Sequence, residues 1–483
     1  MGLSCLIPMI IGTAVGILFG AMPGMSATLA VAVFIPLTYT MDVSASIALL
    51  MSLYIGGISG GLISSILINI PGTPSSVATT FDGHPMAKKG EGGKALGVGV
   101  VYSFLGMVFS IAALMFIAPI LAKFAFNFGF YEYFAITSCA FLLVAGLAGD
   151  NMPKGLISAS FGVFFSLVGM APLDGVHRFT FGSVNLTAGL ATLPFMVGLF
   201  ALPELLKYVS VKDVGFEKIA VPKIKGFGFS IKEFITEIPN MFRATAVGLG
   251  IGVLPGIGAA TSNLMAYAVV KNASKHPEKF GTGIMSGVVA SETANNVTLG
   301  AGMIPLLSLG IPGDAVTAIL LGALMVKGIQ PGPMLFRTSP DTIYMIYAAM
   351  ITASVLMLLI EFYGLRIFVR LLSIPRQVLL PVVMVICILG AYTSTNTIFS
   401  MWVLFIFGIV GYVFSECKIP LAPCIIGFVL GPICEVNLRR GLQLSGGDIM
   451  PFITSPISSV FYVVSALFIL WKVARALMKL RKH

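Results

Sequence analysis

Long apolar stretches recur from one end of this chain to the other, and they limit the folds open to it. Each is roughly 17 residues or longer, enough for a helix to cross about 30 Å of hydrocarbon. Only 10% of the 483 residues are charged, and the mean hydropathy is +1.00. Soluble domains carry roughly 25% charged residues, so this chain cannot cover itself with a solvated surface. The sequence therefore predicts an integral membrane protein.

The predicted fold class is an all-α polytopic membrane protein, folded as one intertwined unit. Some apolar stretches should be broken or re-entrant, so we expect about ten to thirteen spans. The apolar N-terminus lacks a basic n-region and an A-x-A-like cleavage site, so it is interpreted as a first membrane segment rather than a removed signal. The candidate spans are residues 3–20, 24–40, 44–67, 95–122, 129–149, 155–172, 187–206, 240–270, 282–309, 341–361, 378–395, 397–415, 419–434 and 456–472.

The net charge of +10 comes from short loops and the C-terminal tail. The positive-inside rule places these basic segments, and with them the C-terminus, in the cytoplasm. An even number of candidate spans separates Lys94 from Lys207, and again Arg376 from Lys472, as a shared side requires. Because topology accounts for the charge, a nucleic-acid partner is not needed. The basic clusters contain Lys88, Lys89, Lys94, Lys207, Lys212, Lys218, Lys223, Lys225, Lys232, Lys271, Lys275, Lys279, Arg366, Arg370 and Arg376.

No pattern in the sequence favours an enzyme or a resident metal. The six cysteines show no metal-ligand spacing and are interpreted as packed thiols. There is no His-Glu-x-x-His motif, and only four histidines are present. No segment resembles a ring-forming channel filter. We therefore expect no enzymatic activity, no cofactor, and no metal other than a transported sodium ion.

Two Pro-Gly motifs occur twice in the same order, which indicates an internal duplication. The first motif returns 232 residues later, as from Pro23 to Pro255, and the second returns 241 residues later, as from Pro71 to Pro312. The two halves therefore differ by a short insertion. The matched runs are Gly20-Ala-Met-Pro23-Gly24-Met-Ser-Ala27 with Gly252-Val-Leu-Pro255-Gly256-Ile-Gly-Ala259, and Asn69-Ile-Pro71-Gly72-Thr73-Pro74 with Gly310-Ile-Pro312-Gly313-Asp314-Ala315.

The charges that flank the repeats predict opposite topology for the two halves. The segment after the first motif reaches Asp42 without a lysine or arginine, whereas its counterpart runs into Lys271 and Lys275. The order reverses at the second motif, where Lys88 and Lys89 closely follow the first copy. The predicted organisation is a first inverted repeat (1–94), scaffold helices (95–209), a basic cytoplasmic linker or amphipathic segment (210–238), a second inverted repeat (239–338), and scaffold helices with a basic cytoplasmic tail (339–483).

A Pro-Gly step inside a membrane helix predicts a break or a re-entrant turn. Proline removes a backbone donor, and glycine lets the chain reverse. Broken ends persist in the membrane only where they face protein or a water-filled cavity; their N–H groups favour anions and their carbonyls favour cations. The alternative is that these prolines only shape helix packing. The predicted ion-binding or broken-helix residues are Pro23, Gly24, Pro71, Gly72, Pro255, Gly256, Glu292, Pro312 and Gly313.

Polar residues beside the breaks predict a binding site within the membrane. Glu292 lies in an otherwise apolar stretch, where a charge costs roughly 2.5–3.5 kcal/mol on insertion scales. The alternative places Glu292 nearer an interface, paired with a lysine. Asp314 could instead be an N-cap, and the glycine-rich run 56–61 is interpreted as close helix packing. The predicted substrate-binding residues are Asn69, Thr73, Ser75, Ser76, Thr79, Asn295, Asn296 and Asp314.

These motifs resemble the large membrane subunit of tripartite tricarboxylate transporters. The resemblance covers nearly the whole chain, and its most specific part is the run from Asn69-Ile-Pro71-Gly72 to Asp82-Gly83-His-Pro85. Members of that family usually begin further upstream, which leaves the topology of the first span open. The other matching segments are Arg178-Phe-Thr180-Phe-Gly182, Ser291 to Asn296, Gly310-Ile-Pro312-Gly313, Leu320-Leu-Gly322-Ala323-Leu324, Gly431-Pro432-Ile-Cys-Glu435-Val-Asn437 and Gly446-Gly447-Asp448.

The resemblance implies a bacterial inner-membrane permease that works with a small membrane subunit and a periplasmic substrate-binding protein. It implies import of tricarboxylates such as citrate, or of related organic anions, driven by a sodium or proton gradient. An elevator-type movement is an expectation by analogy of fold alone. The alternative is a self-sufficient ion-coupled carrier of organic anions that needs no binding protein.

The leading hypothesis is one site built from both broken regions. Backbone carbonyls around Pro23–Gly24 and Pro255–Gly256 would coordinate a coupling cation, with sodium as the first candidate. The sequence alone does not identify the carboxylate, the ion stoichiometry or the oligomeric state. The side chains expected to donate hydrogen bonds to carboxylate oxygens are Thr73, Ser75, Ser76, Asn295 and Asn296.

Overall fold

The computed structural model describes residues 2–147, 152–210, 228–256, 258–371 and 376–480. Within these ranges the chain is helical apart from its loops and one short β-hairpin, so the predicted all-α class is confirmed. Residues 211–227, most of the predicted linker, lie outside the described residues. The domain boundaries proposed from the sequence stay a prediction.

Length and composition make this a multi-pass membrane protein. Six helical segments in the described part of the chain are long and apolar enough to cross a membrane: Ser4–Ala21, Val43–Ile68, Pro74–Ala125, Pro340–Phe368, Ile398–Glu416 and Leu421–Leu444. The exact number of crossings stays a prediction, because it depends on shorter apolar helices. Those shorter helices are Ala27–Thr38, Phe130–Gly146, Thr192–Leu206, Ala315–Val326, Pro381–Thr395 and Pro456–Leu470.

The first half of the chain contains helices α1 to α10 and the β-hairpin. Its elements are α1 (Leu3–Ala21), α2 (Ala27–Thr38), α3 (Val43–Ser59), α4 (Gly61–Ile68), a 3-10 turn (Pro74–Ser76), α5 (Val77–Met86), a π-helical turn (Ala87–Glu91), α6 (Gly92–Ala125), α7 (Phe130–Leu147), α8 (Met152–Ser166), β1 (Gly169–Met170), β2 (His177–Arg178), α9 (Val184–Thr187) and α10 (Thr192–Ser210).

The second half contains helices α11 to α21. Its elements are α11 (Ile231–Gly252), α12 (Gly258–Ala273), a 3-10 turn (Pro277–Lys279), α13 (Met285–Leu309), α14 (Ala315–Val326), α15 (Leu335–Thr338), α16 (Pro340–Leu371), α17 (Arg376–Thr395), α18 (Ile398–Glu416), α19 (Leu421–Leu444), α20 (Met450–Thr454) and α21 (Pro456–Leu480).

Helices α1 and α2 form a hairpin with Pro23–Gly24 at its tip, and α3 packs along it. Gly16 of α1 lies against Leu53 of α3, and Gly20 lies against Gly57, so α1 and α3 run parallel. Helix α2 returns along α3 in the opposite direction. The glycines permit this close approach because they have no side chain, as the glycine-rich run 56–61 predicted.

The second half repeats this arrangement with α11, α12 and α13. Gly248 and Gly252 of α11 lie against Val297 and Ala301 of α13, so these two helices are again parallel. Helix α12 returns along α13, and Pro255–Gly256 lies at the hairpin tip. Both halves are therefore built from a helical hairpin laid against a long helix.

The equivalent long helices, α3–α4 in the first half and α13 in the second, run in opposite directions. The end of α4 lies beside the end of α5, where His84 Nδ1 is 3.1 Å from Ile66 O. Gly283, just before α13, lies against the same end of α5. At the other end, Lys327 after α14 donates a 2.7 Å hydrogen bond to Met41 O, just before α3. The two halves are thus inverted with respect to each other.

Two long helices tie the inverted halves together. Helix α6 follows the first half and packs along α13, where Gly106 lies against the backbone of Thr293. Helix α16 follows the second half and packs along α3, where Ser59 Oγ donates a 2.9 Å hydrogen bond to Glu361. Each half therefore contributes a helix to the centre of the other, and the bundle forms one intertwined unit.

The exchange continues in the helices further out. Gly198 of α10 packs on the backbone of Leu404 in α18, and Gly427 of α19 packs on the backbone of Ala159 in α8. Helix α10 of the first half thus packs against a helix of the second half, and α19 of the second half packs against a helix of the first. A third matched motif underlies this exchange, because three residues recur 229 positions later: Pro194, Gly198 and Pro203 match Pro423, Gly427 and Pro432.

Candidate functional site

Each half contains two helix breaks at matching positions, and the backbone turns in the same way in both halves. The hairpin tips have left-handed glycines, Gly24 with φ 83° and Gly256 with φ 82°. The second breaks begin at Asn69, with φ 58°, and at Gly310, with φ 73°. Glycine adopts this conformation freely, and asparagine is one of the few other residues that visit it. The Pro-Gly motifs therefore mark real interruptions of the helices.

The two breaks of the first half meet in the interior. Gly72 follows the second break, and a β-carbon there would collide with the carbonyl oxygen of Gly20, beside the first break. The same β-carbon would come within 2.9 Å of the Gly61 Cα at the start of α4. Glycine is needed at this position because backbone approaches backbone on both sides.

The breaks of the second half meet in the same way. A β-carbon on Gly313 would lie 2.7 Å from the Gly302 Cα and 3.2 Å from the carbonyl oxygen of Gly252. In addition, the backbone N–H of Gly256 donates a 2.7 Å hydrogen bond to Gly313 O. At least one of the carbonyls freed by these breaks is therefore already paired within the protein. The predicted cation role of the tips stays a prediction.

Buried hydroxyl groups follow the break after α4. Thr73 Oγ1 and Ser75 Oγ are 2.9 Å apart. Ser76 Oγ accepts a 3.2 Å hydrogen bond from Thr73 N and a 3.0 Å bond from Ser65 Oγ. Ser76 thus holds the turn itself. Thr73 and Ser75 hydrogen-bond to each other, so at most one of their two hydroxyl protons is left for a further partner.

Glu292 lies at the centre of the contact between α5, α6 and α13 and is fully buried. Thr79 of α5 donates a 2.5 Å hydrogen bond to Oε1, and Ser103 of α6 donates a 3.0 Å bond to Oε2. Among the described residues no lysine or arginine forms an ion pair with Glu292, so the alternative of a lysine partner is not seen there. A buried carboxylate held by neutral donors favours a functional role.

Asn295 and Asn296, one turn beyond Glu292, are fully buried and incompletely paired. Asn296 Nδ2 donates a 3.0 Å bond to Glu292 O, but its Oδ1 has no partner. Neither amide atom of Asn295 forms a hydrogen bond of ordinary geometry, although the amide lies close to the Glu292 side chain. An unpaired buried polar group costs about 1–3 kcal/mol, which indicates that these atoms serve a ligand, ion or water.

Asp314 caps the N-terminus of α14, as the alternative interpretation had it. Its Oδ1 accepts a 2.8 Å bond from Thr317 N, and its backbone N–H donates a 2.7 Å bond to Thr317 Oγ1. Its Oδ2 accepts a 3.1 Å bond from the hydroxyl of Tyr54 on α3. Both carboxylate oxygens are therefore occupied by this cap and by Tyr54.

Asp82 anchors α5 to the loop between α12 and α13. Its Oδ1 accepts hydrogen bonds from three backbone N–H groups, those of Gly281 (3.0 Å), Gly283 (2.8 Å) and Ile284 (3.0 Å). Its Oδ2 accepts a 2.8 Å bond from the Tyr267 hydroxyl. This fully buried carboxylate fixes the position of α5, and with it the position of Thr79.

A cavity of about 620 Å³ opens beside α5 at the lysine-bearing end of the molecule. Asn69 lies at this cavity, together with two lysines and a histidine. Positive charge in a recess attracts anions and raises their local concentration. The cavity therefore joins the second break of the first half to a basic surface. Its lining consists of Asn69, Thr80, Phe81, His84, Pro85, Lys88 and Lys89.

Several residues of this region escaped the sequence analysis. Asn263 of α12 links the start of α5 to α13, because its Oδ1 accepts from Ala78 N (2.8 Å) and its Nδ2 donates to Ser291 O (3.1 Å). Glu361 is a fully buried carboxylate on α16. The membrane-burial argument applied to Glu292 would have found Glu361. A lone asparagine such as Asn263 gives no comparable signal.

The sequence is similar to a known transporter family and to two bacterial proteins. The model of the Tripartite tricarboxylate transporter TctA family matches residues 6–426. An Agrobacterium vitis protein named "Uncharacterized 52.8 kDa protein in TAR-I ttuC' 3'region" is 34% identical over 454 residues, which is 94% of this chain and 90% of the relative. A second, named "Uncharacterized protein in TAR-II ttuC' 3'region", is 37% identical over 209 residues, which is 43% of this chain and 86% of the relative. No solved structure matches the chain.

Proposed function

This chain belongs to the tripartite tricarboxylate transporter TctA family, and from that premise we propose that it is the permease subunit of a binding-protein-dependent secondary transporter. Its cargo would be a tricarboxylate or a related organic anion, imported with a sodium or proton gradient. It would work in a bacterial inner membrane with a small membrane subunit and a periplasmic substrate-binding protein.

One observation carries this proposal: in each of two inverted repeats the two helix breaks meet, and buried polar side chains lie beside the breaks of the first repeat. Interrupted helices at the interface of inverted repeats are typical of substrate and ion sites in secondary transporters. The polar side chains lie where α5 packs on α13, around Thr79, Glu292 and Asn295. Buried polar groups within a membrane are costly, so their concentration here favours a transport site.

The chemistry of these groups suits a carboxylate. The hydroxyls of Thr73 and Ser75 and the amide of Asn295 are neutral donors, which bind an anion without holding it as tightly as a buried lysine would. Lys88 and Lys89 line the basic cavity nearby. A path from the site to this cavity would let an anion leave toward the basic end.

Glu292 gives a physical reason for ion coupling. Two negative charges about 4 Å apart repel by roughly 4 kcal/mol at an effective dielectric constant of 20. An organic anion beside Glu292 therefore binds well only when a proton or a sodium ion neutralises the carboxylate. Each ion would then favour binding of the other, which is the coupling that a symporter requires.

The charge distribution supports the proposed orientation. Lys88, Lys89, Lys271 and Lys275 all lie at the end of the molecule where α5 and α12 finish. The positive-inside rule assigns that end to the cytoplasm. The C-terminus of α21, with its basic residues, is assigned to the same side. An elevator-type movement of the paired breaks stays a prediction.

Uptake by purified components tests the function. Proteoliposomes containing this chain and the small membrane subunit would receive radiolabelled citrate, malate or succinate, with or without the binding protein. We expect saturable uptake of at least one carboxylate that requires the binding protein and disappears when the sodium and proton gradients are dissipated. Uptake of the same size without the binding protein would favour the self-sufficient carrier. No uptake of any carboxylate under either gradient would contradict both.

A further inference from the structure

The second break of the first half, at Asn69–Gly72, and the second break of the second half, at Gly310–Gly313, have similar backbones but different neighbouring side chains. We call the contact between α5 and α13 the first face, and the contact between α14 and α3 the second face. The offset of 241 that relates Gly72 to Gly313 also relates Gly61 to Gly302, which hold matching places beside them. At this offset six polar positions of the first face have an apolar or aromatic counterpart: Ser75, Thr79, Ser291, Glu292, Asn295 and Asn296 match Val316, Leu320, Leu50, Met51, Tyr54 and Ile55. Thr73 and Ser76 instead match the polar residues Asp314 and Thr317.

The register of α5 on α13 brings the unpaired amide of Asn295 to the hydroxyl groups. The two helices run antiparallel, because the end of α5 lies at the start of α13. Thr79 Oγ1, which donates its proton to Glu292 Oε1, also lies 3.1 Å from Ser291 Oγ. Asn295 lies one helical turn, about 3.6 residues, after Ser291 on α13, and Ser75 precedes Thr79 in the 3-10 turn that packs against α13. The antiparallel register therefore brings this 3-10 turn toward Asn295.

The second face is closed by its own side chains. Tyr54 stands where the first face has Asn295, and its hydroxyl bonds to Asp314 at 3.1 Å. Asp314 stands where the first face has Thr73. Its carboxylate already accepts from the N-terminus of α14 through Thr317 N. An incoming anion would meet a negative charge there, whereas the capping residue at the break of the first face, Thr73, is neutral.

The first face carries polar groups without partners in the described part of the chain. The residue at its break is Thr73, a neutral hydroxyl in place of a carboxylate. Asn295 is fully buried with both amide atoms unpaired, and the Oδ1 of Asn296 is unpaired as well. Of these orphan atoms, Asn295 Nδ2 is the donor that a bound carboxylate oxygen would satisfy, whereas the two Oδ1 atoms are acceptors suited to water or a cation. Tyr54, which corresponds to Asn295 on the second face, already donates its hydroxyl proton to Asp314.

We infer that only the first face binds the carboxylate of the transported anion, with Ser75 and Asn295 as donors, and that the second face is a closed structural copy. This inference rests on the proposed function and adds to it: the site is single despite the repeat, and it lies on one side of the pseudo-two-fold axis. The chain would therefore bind one anion, not two equivalent ones.

Direct binding to the purified full-length chain in lipid nanodiscs tests this assignment, with citrate, malate and succinate as probes. Asn295→Asp keeps the size of the side chain and replaces a donor with a charged acceptor. We expect it to weaken the tightest carboxylate at least about tenfold, which is 1.4 kcal/mol. The matched control is Tyr54→Phe at the equivalent position, which should leave the Kd within about twofold. Equal weakening by both variants, or no change with Asn295→Asp, would overturn the inference.

A second pair of variants keeps the test decisive if Asn295→Asp does not fold. Ser75→Ala removes one hydroxyl from the first face, and Val316→Ala removes a similar volume at the equivalent position of the second. We expect Ser75→Ala to weaken binding by about three- to tenfold, as loss of one hydrogen bond does, and Val316→Ala to leave it unchanged. The reverse order would refute the assignment. If the wild-type chain binds no carboxylate and the three-part system transports none, the proposed function itself has failed.

Discussion

Thr79 of α5 donates a 2.5 Å hydrogen bond to Glu292 of α13, across 213 residues of sequence. This bond joins the break of the first half to the central helix of the second. It also places a buried carboxylate beside the donors that we assign to the anion. The ionisation or ion binding of Glu292 is therefore where coupling between cation and anion should be visible.

Replacing Glu292 by glutamine should uncouple the anion from the cation. The variant Glu292→Gln keeps the size and removes the charge, so no proton or sodium ion is needed to neutralise the site. We expect carboxylate binding to lose most of its dependence on sodium concentration and on pH, measured as Kd over a range of both. The control is Glu132→Gln on α7, a buried carboxylate held by Gly129 N and Ser455, which should behave like the wild type. A Glu292→Gln variant with wild-type ion dependence would refute the coupling role.

The contact between paired breaks should not tolerate a methyl group. Gly72→Ala would push a β-carbon into the carbonyl oxygen of Gly20, and overpacking of this kind costs about 1–3 kcal/mol. We expect a lower melting temperature in detergent and reduced uptake. Gly250→Ala is the control, because a β-carbon there meets nothing within 4 Å and alanine favours the helix. Equal melting temperatures for the two variants would show that the breaks do not meet as described.

The Asp82 anchor should be needed to hold α5 in place. Asp82→Asn retains one oxygen but presents an NH₂ group to backbone donors, so at least one hydrogen bond to a charged group is lost, worth about 1.5–3 kcal/mol. We expect faster proteolysis in the loop 274–284 and weaker carboxylate binding, because Thr79 would shift with α5. Tyr267→Phe removes one bond from the same carboxylate and should have a smaller effect of the same sign. Unchanged proteolysis in Asp82→Asn would argue against the anchor.

An ion-pair cluster attaches the β-hairpin to α19, and part of it should depend on pH. Arg439 forms an ion pair with Asp174, which holds the pKa of that carboxyl below its ordinary value. A lowered pKa means that the stabilisation is present above the ordinary carboxyl value, about 3.9, and is lost as the pH falls further. Arg439→Gln should therefore lower the melting temperature at pH 7 and change it less at pH 3. A difference that grows toward pH 3 would contradict this.

The sequence predicted the positions of the breaks because their causes are local. Pro71 and Gly72 or Pro255 and Gly256 interrupt a helix by covalent geometry, whatever they pack against. The inversion could also be predicted, because loop charge acts through the membrane and not through contacts. The prominence of Glu292 followed from the cost of burying a charge in lipid.

Other features depend on contacts between distant segments and could not be predicted. Asp82 finds its donors 185 to 202 residues away, and Tyr54 meets Asp314 across 260 residues. From the sequence, Asp314 is a candidate substrate-binding residue because its carboxylate directly follows the break at Pro312 and Gly313. Only the fold shows that Tyr54 and the start of α14 occupy it. The two faces differ in their side chains at equivalent positions, as at Asn295 and Tyr54, and these positions are defined by the packing of the two halves.

The most direct measurement is an experimentally determined map of the full-length chain with its tightest carboxylate bound. We expect density for one carboxylate between Ser75 and Asn295, near Glu292, with the hydrogen bond from Tyr54 to Asp314 intact. Density between Tyr54 and Asp314, or in both faces at once, would contradict the single-site account. Density only beside Lys88 and Lys89 would show that the basic cavity, and not the break, is the binding site.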